Sequence, residues 1–254
     1  MDLLEALAIA AAAFVAATIN AVAGGGSLIS FPVLVATGFS SKVANVTNTV
    51  GLVPGLAGGA IGYRDEIARQ PQNVRTILPP TILGAVTGST VLILTPESEF
   101  EAIVPFLVLA ACALLAFQDR ISQLVFGNRL DSEAAPALHR YWLYGGIFVS
   151  ATYGAYFGAG LGIILFVVLG LALPDDIQRT NALRGLIALF TNGLAATYFA
   201  LFANVDWAAA GVMAVAALGG GYFGARVARR LSRKTLRGAV ISYGTLAGFY
   251  LLLR

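Results

Sequence analysis

Residues 20–34 read NAVAGGGSLISFPVL, which places three consecutive glycines, a serine and a proline inside an apolar run otherwise suited to a spanning helix. Glycine costs about 1 kcal/mol in a helix interior, and backbone groups freed at a break find no water inside a bilayer. Such a break is stable only where protein surrounds it or a ligand occupies it. The stretch therefore predicts a helix interrupted at Gly24-Gly25-Gly26, and the rest of the chain has to explain the interruption.

The surroundings are membrane-like. The chain has 254 residues, 58% of them hydrophobic and 11% charged, against about 25% charged in a soluble domain; the mean hydropathy is +0.81. Residues 6–63 hold one charged side chain, Lys42, and residues 141–174 hold none. Stretches of spanning length thus recur along the whole chain. The opening MDLLEALAIA carries Asp2 and Glu5 where a secretory leader would be basic, so this segment is expected to be retained. Cys112 is the single cysteine, which excludes an intrachain disulfide and a thiolate metal cluster. The isoelectric point near 9.2 reflects basic loops that set topology, so no nucleic-acid partner is expected.

Ten apolar segments can be drawn, at 4–22, 27–38, 43–62, 76–95, 101–118, 141–157, 161–173, 180–203, 207–225 and 238–253. The second and seventh have about a dozen residues each, too few to cross about 30 Å of hydrocarbon perpendicularly, and read as broken or half-helices. The basic run RRLSRKTLR at 229–237 is expected to face the cytoplasm. Counting outward from it, 203–207 lies outside, 173–180 inside, the linker 119–140 inside, the acidic turn at 96–101 outside and the loop 63–75 inside. Both termini then come out periplasmic, in a multi-pass protein of the cell inner membrane.

The two halves resemble each other. Aligning 17–29, ATINAVAGGGSLI, with 151–163, ATYGAYFGAGLGI, gives six identities in thirteen positions, and Thr47-Asn48 meets Thr180-Asn181 at nearly the same spacing. Five segments per half is an odd number, so the second copy starts on the opposite side of the membrane. The expected fold is all-α integral membrane, about ten hydrophobic helical segments in a 5+5 inverted repeat, with segments 2 and 7 short and broken. Residues 1–118 form the first repeat, 119–140 a cytoplasmic linker and 141–254 the second repeat. Inverted repeats with paired, glycine-interrupted segments point to a transporter with its site near the midplane.

The breaks at Gly24-Gly25-Gly26 and at Gly158-Ala159-Gly160 let half-helices begin inside the protein, aiming N-terminal N–H groups and dipole ends at a common point, which favours an anion. Close packing is the alternative use of such glycines, and is preferred for the spaced pairs Gly84/Gly88, Gly220/Gly224 and Gly244/Gly248. Arg184 is the only charged residue between Thr180 and Val205; it reads as a ligand or gate residue, with snorkelling to the headgroups as the alternative. Asn20, Asn48 and Asn181 supply further polar groups near the breaks, either as donors to a ligand or as helix–helix amide contacts. The spans hold no acidic residue away from their ends and no histidine, and neither an HExxH metal motif nor a P-loop occurs. No catalytic residue, metal site or cofactor is expected, and the chain is read as a non-enzyme.

The glycine-rich break followed by SLISFPVL, its echo in the second half and the overall hydropathy resemble the TauE/SafE sulfite exporter family, across essentially the whole chain. The resemblance implies transport of sulfite, sulfoacetate or another sulfur-containing or organic anion, and a substrate-path role for Gly24, Gly25, Gly26, Ser27 and Pro32, extended through the repeat to Gly158 and Gly160. The second copy departs from the motif, with Leu161 where Ser27 stands and no proline. The expected substrate-binding set is Asn20, Gly24, Gly25, Gly26, Ser27, Thr47, Asn48, Gly158, Gly160, Thr180, Asn181 and Arg184. The expected partners are a small anion and the lipid bilayer, with self-association left open. A carrier working by alternating access is the leading reading; a passive anion channel and a non-transporting assembly protein are the alternatives.

Overall fold

The computed structural model describes residues 1–22, 24–127, 136–173, 177–227 and 233–253. Among them there are eleven helices: α1 Leu3–Val22, α2 Ser27–Ala36, α3 Ser41–Gly62, α4 Arg64–Ala68, α5 Pro71–Leu94, α6 Glu97–Gly127, α7 Pro136–Tyr156, α8 Leu161–Ala172, α9 Ile177–Phe202, α10 Trp207–Val227 and α11 Arg233–Leu253. The basic residues at 229–230, most of the inner turn at 173–176 and the linker core 128–135 lie outside the described residues, as does the side chain of His139. Among the described residues four helices, α1, α5, α6 and α9, are long and apolar enough to cross a membrane, while α2 and α8 are short. The short helix α4 was not anticipated. α6 continues through Asp119 and Arg120 to Gly127, so the first residues of the expected linker 119–140 are helical. At about 1.5 Å per residue a 31-residue helix outruns about 30 Å of hydrocarbon, so its polar last turns extend the helix beyond the apolar layer.

Local chemistry sets the helix ends. Asp2 and Glu5 cap α1 reciprocally, each backbone N–H donating to the other's carboxylate at 2.8 and 2.7 Å. The end of α2 is a left-handed glycine cap. There Gly38 has φ +95, and the N–H groups of Gly38 and Phe39 donate back to the carbonyls of Val35 and Leu34. Pro71 opens α5 at a position where the missing N–H costs nothing, and the Asp206 carboxylate accepts from Ala209 N–H at 2.8 Å to begin α10.

Hydrogen bonds between elements define two ends of the bundle. At the first end Lys42 Nζ donates to the carbonyls of Ile93 and Thr95, tying the start of α3 to the α5–α6 turn, and Asp206 N–H donates to Thr47 Oγ1. At the second end Gln70 reaches the carbonyl of Arg179, and Arg237 makes a two-pronged ion pair with Asp119 at 2.5 and 2.6 Å. The chain pairs α1 with α10 and α5 with α7, sets α3 against α9 and α10, and sets α9 against α5. Glycines let these backbones approach: a Cβ at Gly84 or Gly88 would strike the carbonyls of Phe148 or Thr152 on α7, and one at Gly220 would strike Phe14 on α1. Gly244 packs over Cys112 Sγ and Gly248 over Leu109, so these spaced glycines are packing positions.

The broken segments are hairpins. α2 turns back along α1 and ends at the first end, beside Ser40 and Lys42; α8 turns back along α7 toward the second end. Their turns therefore enter from opposite ends and meet inside the bundle.

Candidate functional site

Each turn is built by glycine backbone that other residues rarely adopt. φ is +75 at Gly24 and +89 at Gly25 in the first turn, and +81 at Gly158 and +78 at Gly160 in the second. Gly26 is required for a different reason, because a Cβ there would collide with the backbone carbonyl of Ala16 on α1. The turns touch: a Cβ placed on Gly24 would stand 3.6 Å from Gly162 Cα, and one on Gly162 would stand 3.8 Å from Arg184 Nη1.

Side chains hold each turn, but not the same ones. In the first, Gly26 N–H donates to Asn20 Oδ1 at 2.7 Å. In the second, the Tyr153 hydroxyl donates to the carbonyl of Ala159 at 2.6 Å, while Asn45 Nδ2 on α3 donates to the carbonyl of Tyr156 at 2.8 Å. Asn45 is almost fully buried, so this bond ties the first half of the chain to the tip of the second.

Between the turns lies a cavity of about 80 Å³, lined by Asn20, Gly24, Gly25 and Ser27 of the first hairpin, Gly158, Leu161 and Gly162 of the second, Thr49, Leu52 and Leu56 of α3, and Arg184, Gly185, Ala188 and Asn192 of α9. That volume holds several waters or one small polyatomic ion. A larger cavity of about 430 Å³ at the first end is lined by Gly38–Ser41, Glu101 and Leu251. Among its described lining residues the one ionisable group is a carboxylate, so it suits an anion less well than the smaller cavity does.

Of the residues expected from sequence, Asn20, Gly24, Gly25, Ser27, Gly158 and Arg184 come together on this cavity. The others stand elsewhere. Asn48 accepts the hydroxyl hydrogen of buried Ser30 at 2.5 Å, holding α2 to α3. Thr47 serves the α9–α10 turn. Gly26 and Gly160 shape the turns behind the wall, and Thr180 is buried near the start of α9, its hydroxyl without a partner among the described residues. Asn181 is half-buried in the same turn, and Pro32 is buried within α2. Sequence reasoning missed Thr49 and Asn192. The signal for Asn192 was available, since Arg184, Ala188 and Asn192 follow an i, i+4, i+8 stripe that puts all three on one face of α9. No group of three or more His, Cys, Asp or Glu side chains among the described residues could hold a metal.

The family model described as sulfite exporter TauE/SafE matches residues 9–251. The chain belongs to the TauE/SafE sulfite exporter family. Similar chains include a probable membrane transporter protein of Haemophilus influenzae, 28% identical over 90% of this chain and 87% of that one. Another is the probable membrane transporter protein ORF9 of Sinorhizobium sp., 23% identical over 89% of this chain and 84% of that one. No solved structure matches. A membership spanning both hairpins and α9 makes this TauE/SafE chain a multi-pass membrane transporter with a small anion as its substrate class.

Proposed function

We propose that the protein is an alternating-access carrier of a small sulfur-containing oxyanion or organic sulfonate across the bacterial inner membrane, with the cavity between the two hairpin turns as its site. The observation that carries this reading is the position of Arg184. Its guanidinium lies beside Gly162, in the first turn of α8, and lines the cavity. The N–H groups at the start of α8 and the positive charge of Arg184 both favour an anion in this cavity.

The packing supports a 5+5 inverted repeat as the moving framework. Exchanging α1, α2, α3, α5 and α6 with α7, α8, α9, α10 and α11 converts the α1–α10 contact into α7–α5, α10–α3 into α5–α9, and α11–α2 into α6–α8. The α3–α9 and α6–α11 contacts map onto themselves, as an internal two-fold axis requires. Rocking of one half against the other would open the cavity first to one end and then to the other. The chain acts as a carrier, not a catalyst, and its termini are periplasmic on the charge pattern.

The test is uptake of radiolabelled sulfite into proteoliposomes, with and without an imposed pH gradient. Accumulation above equilibrium supports a coupled carrier. Equilibration alone makes the protein a channel, and absence of flux with any sulfur oxyanion removes the transport reading.

A further inference from the structure

The polar atoms around the cavity divide into donors and acceptors, and their orientation is forced by bonds already made. Asn20 uses Oδ1 to accept Gly26 N–H, which leaves its Nδ2 as a donor. Together with Ser27 and Arg184 it gives the cavity a donor side. Asn192 has the reverse arrangement: its Nδ2 donates to the carbonyl of Ala188 at 2.8 Å, so Oδ1 is the atom that remains. A Cβ on Gly158, another lining residue, would stand 3.8 Å from that Oδ1, and no other described residue donates to it. The Thr49 hydroxyl spends its hydrogen on the carbonyl of Asn45 at 3.0 Å, so to any further partner it can only accept. Two acceptors, on α3 and α9, thus line the same cavity as a single guanidinium.

An anion with no hydrogen to donate would leave both acceptors facing its own negative oxygens, which is repulsive and leaves half-buried polar atoms unpaired. A dianion would in addition bring two charges to one fixed positive charge. Resting on the anion-carrier reading above, we infer that this site selects small oxyanions that carry one negative charge together with an O–H or N–H donor, the donor bonding to Asn192 Oδ1 or Thr49 Oγ1 while the charged oxygens face Arg184, Asn20 and Ser27. The O–H form of hydrogen sulfite is the simplest sulfur anion of this class. The fully deprotonated dianion is excluded.

The test uses two near-isosteres of equal charge: hydrogen methylphosphonate, with a hydroxyl donor on phosphorus, and methanesulfonate, with no donor on sulfur. Titration calorimetry on the purified full-length chain should show hydrogen methylphosphonate binding about tenfold more tightly, the scale of one hydrogen bond to a charged partner. Its affinity should fall as the pH rises through its second ionisation, while that of methanesulfonate stays level. Arg184 on α9 is the only ionisable group among the described lining residues; Tyr153 on α7 is held by Ala159, and Lys42 on α3, Arg75 on α5 and Arg179 on α9 stand near helix ends. The change with pH therefore belongs to the ligand. In Asn192→Leu the ratio of the two affinities should shrink toward one. Methanesulfonate binding as tightly as hydrogen methylphosphonate, the dianion binding more tightly, or an undiminished ratio in a folded Asn192→Leu protein would overturn the donor requirement and leave the anion site standing. Binding of none of the three ligands would remove the anion site as well. Should Asn192→Leu fail to fold, the wild-type comparison across pH decides alone.

Discussion

Arg184 illustrates how one side chain acquires meaning from where it points. A cation two turns into α9 could reach back toward the headgroups, but its Nη1 stands instead against Gly162, where the two hairpin turns meet. If it supplies the attraction for the anion, affinity for sulfite should fall in the order wild type, Arg184→Lys, Arg184→Gln. Lysine keeps a point charge but loses the planar fork that matches two oxygens of an oxyanion. The loss in Arg184→Gln should be about tenfold or more in Kd, given hydrogen bonds to charged groups worth about 1.5–3 kcal/mol. Dissociation constants for the three purified proteins decide; equal values would return Arg184 to a purely structural role. At this scale the sequence was partly legible. The intramembrane charge and the glycines announced themselves by their cost; of two equally polar residues in apolar helices, Asn48 was expected at the site and Asn192 was not. Asn48 proved to be bonded to Ser30, within the α2–α3 contact, while Asn192 faces the cavity. Burial cost identifies a polar residue that needs a partner, but it does not identify the partner.

At the scale of the element, the two hairpins share a design and differ in how their turns are locked. The first depends on an amide from its own helix, Asn20 to Gly26. The second depends on a phenol, Tyr153 to Ala159, and on an amide from α3, Asn45 to Tyr156. Removing the Tyr153 hydroxyl takes away one hydrogen bond worth about 1 kcal/mol and should loosen the second turn alone. Hydrogen–deuterium exchange on Tyr153→Phe is expected to show faster exchange over residues 157–160 and unchanged exchange over 24–27. Equal acceleration at both turns would mean that they open as one unit. The existence of both breaks was legible because glycine runs stand out in apolar sequence. Their different locks were not, since Tyr153 stands opposite Ile19 in the alignment and nothing local marks its hydroxyl as facing a carbonyl six residues later.

For the whole molecule, the orientation in the membrane rests on the basic loops. Arg64 and Arg69 flank α4, near the end where Gln70 meets Arg179, and Arg237 pairs with Asp119 at that same end. Glu97 and Lys42 mark the other. On a Cys112-free background, cysteines introduced at Glu99 and Asn204 should be labelled by an impermeant maleimide from the periplasm, and one at Arg69 should not. The reverse pattern would invert the whole assignment.

Hydropathy and glycine clusters are properties of neighbouring residues, and by themselves they determined that this chain is helical, lies in a membrane and breaks its helices near residues 24 and 158; charge asymmetry adds the expectation that the basic loops share one side. Helix period and transfer free energy act over a few turns, so a linear reading captures them. What only the tertiary structure decided is which polar atoms meet. The contact of Gly24 with Gly162 joins positions far apart in the chain, and the donor or acceptor face of Asn20 and Asn192 depends on which backbone group each amide has already bonded. Such choices follow from how helices cross in space, and no spacing along the chain encodes them.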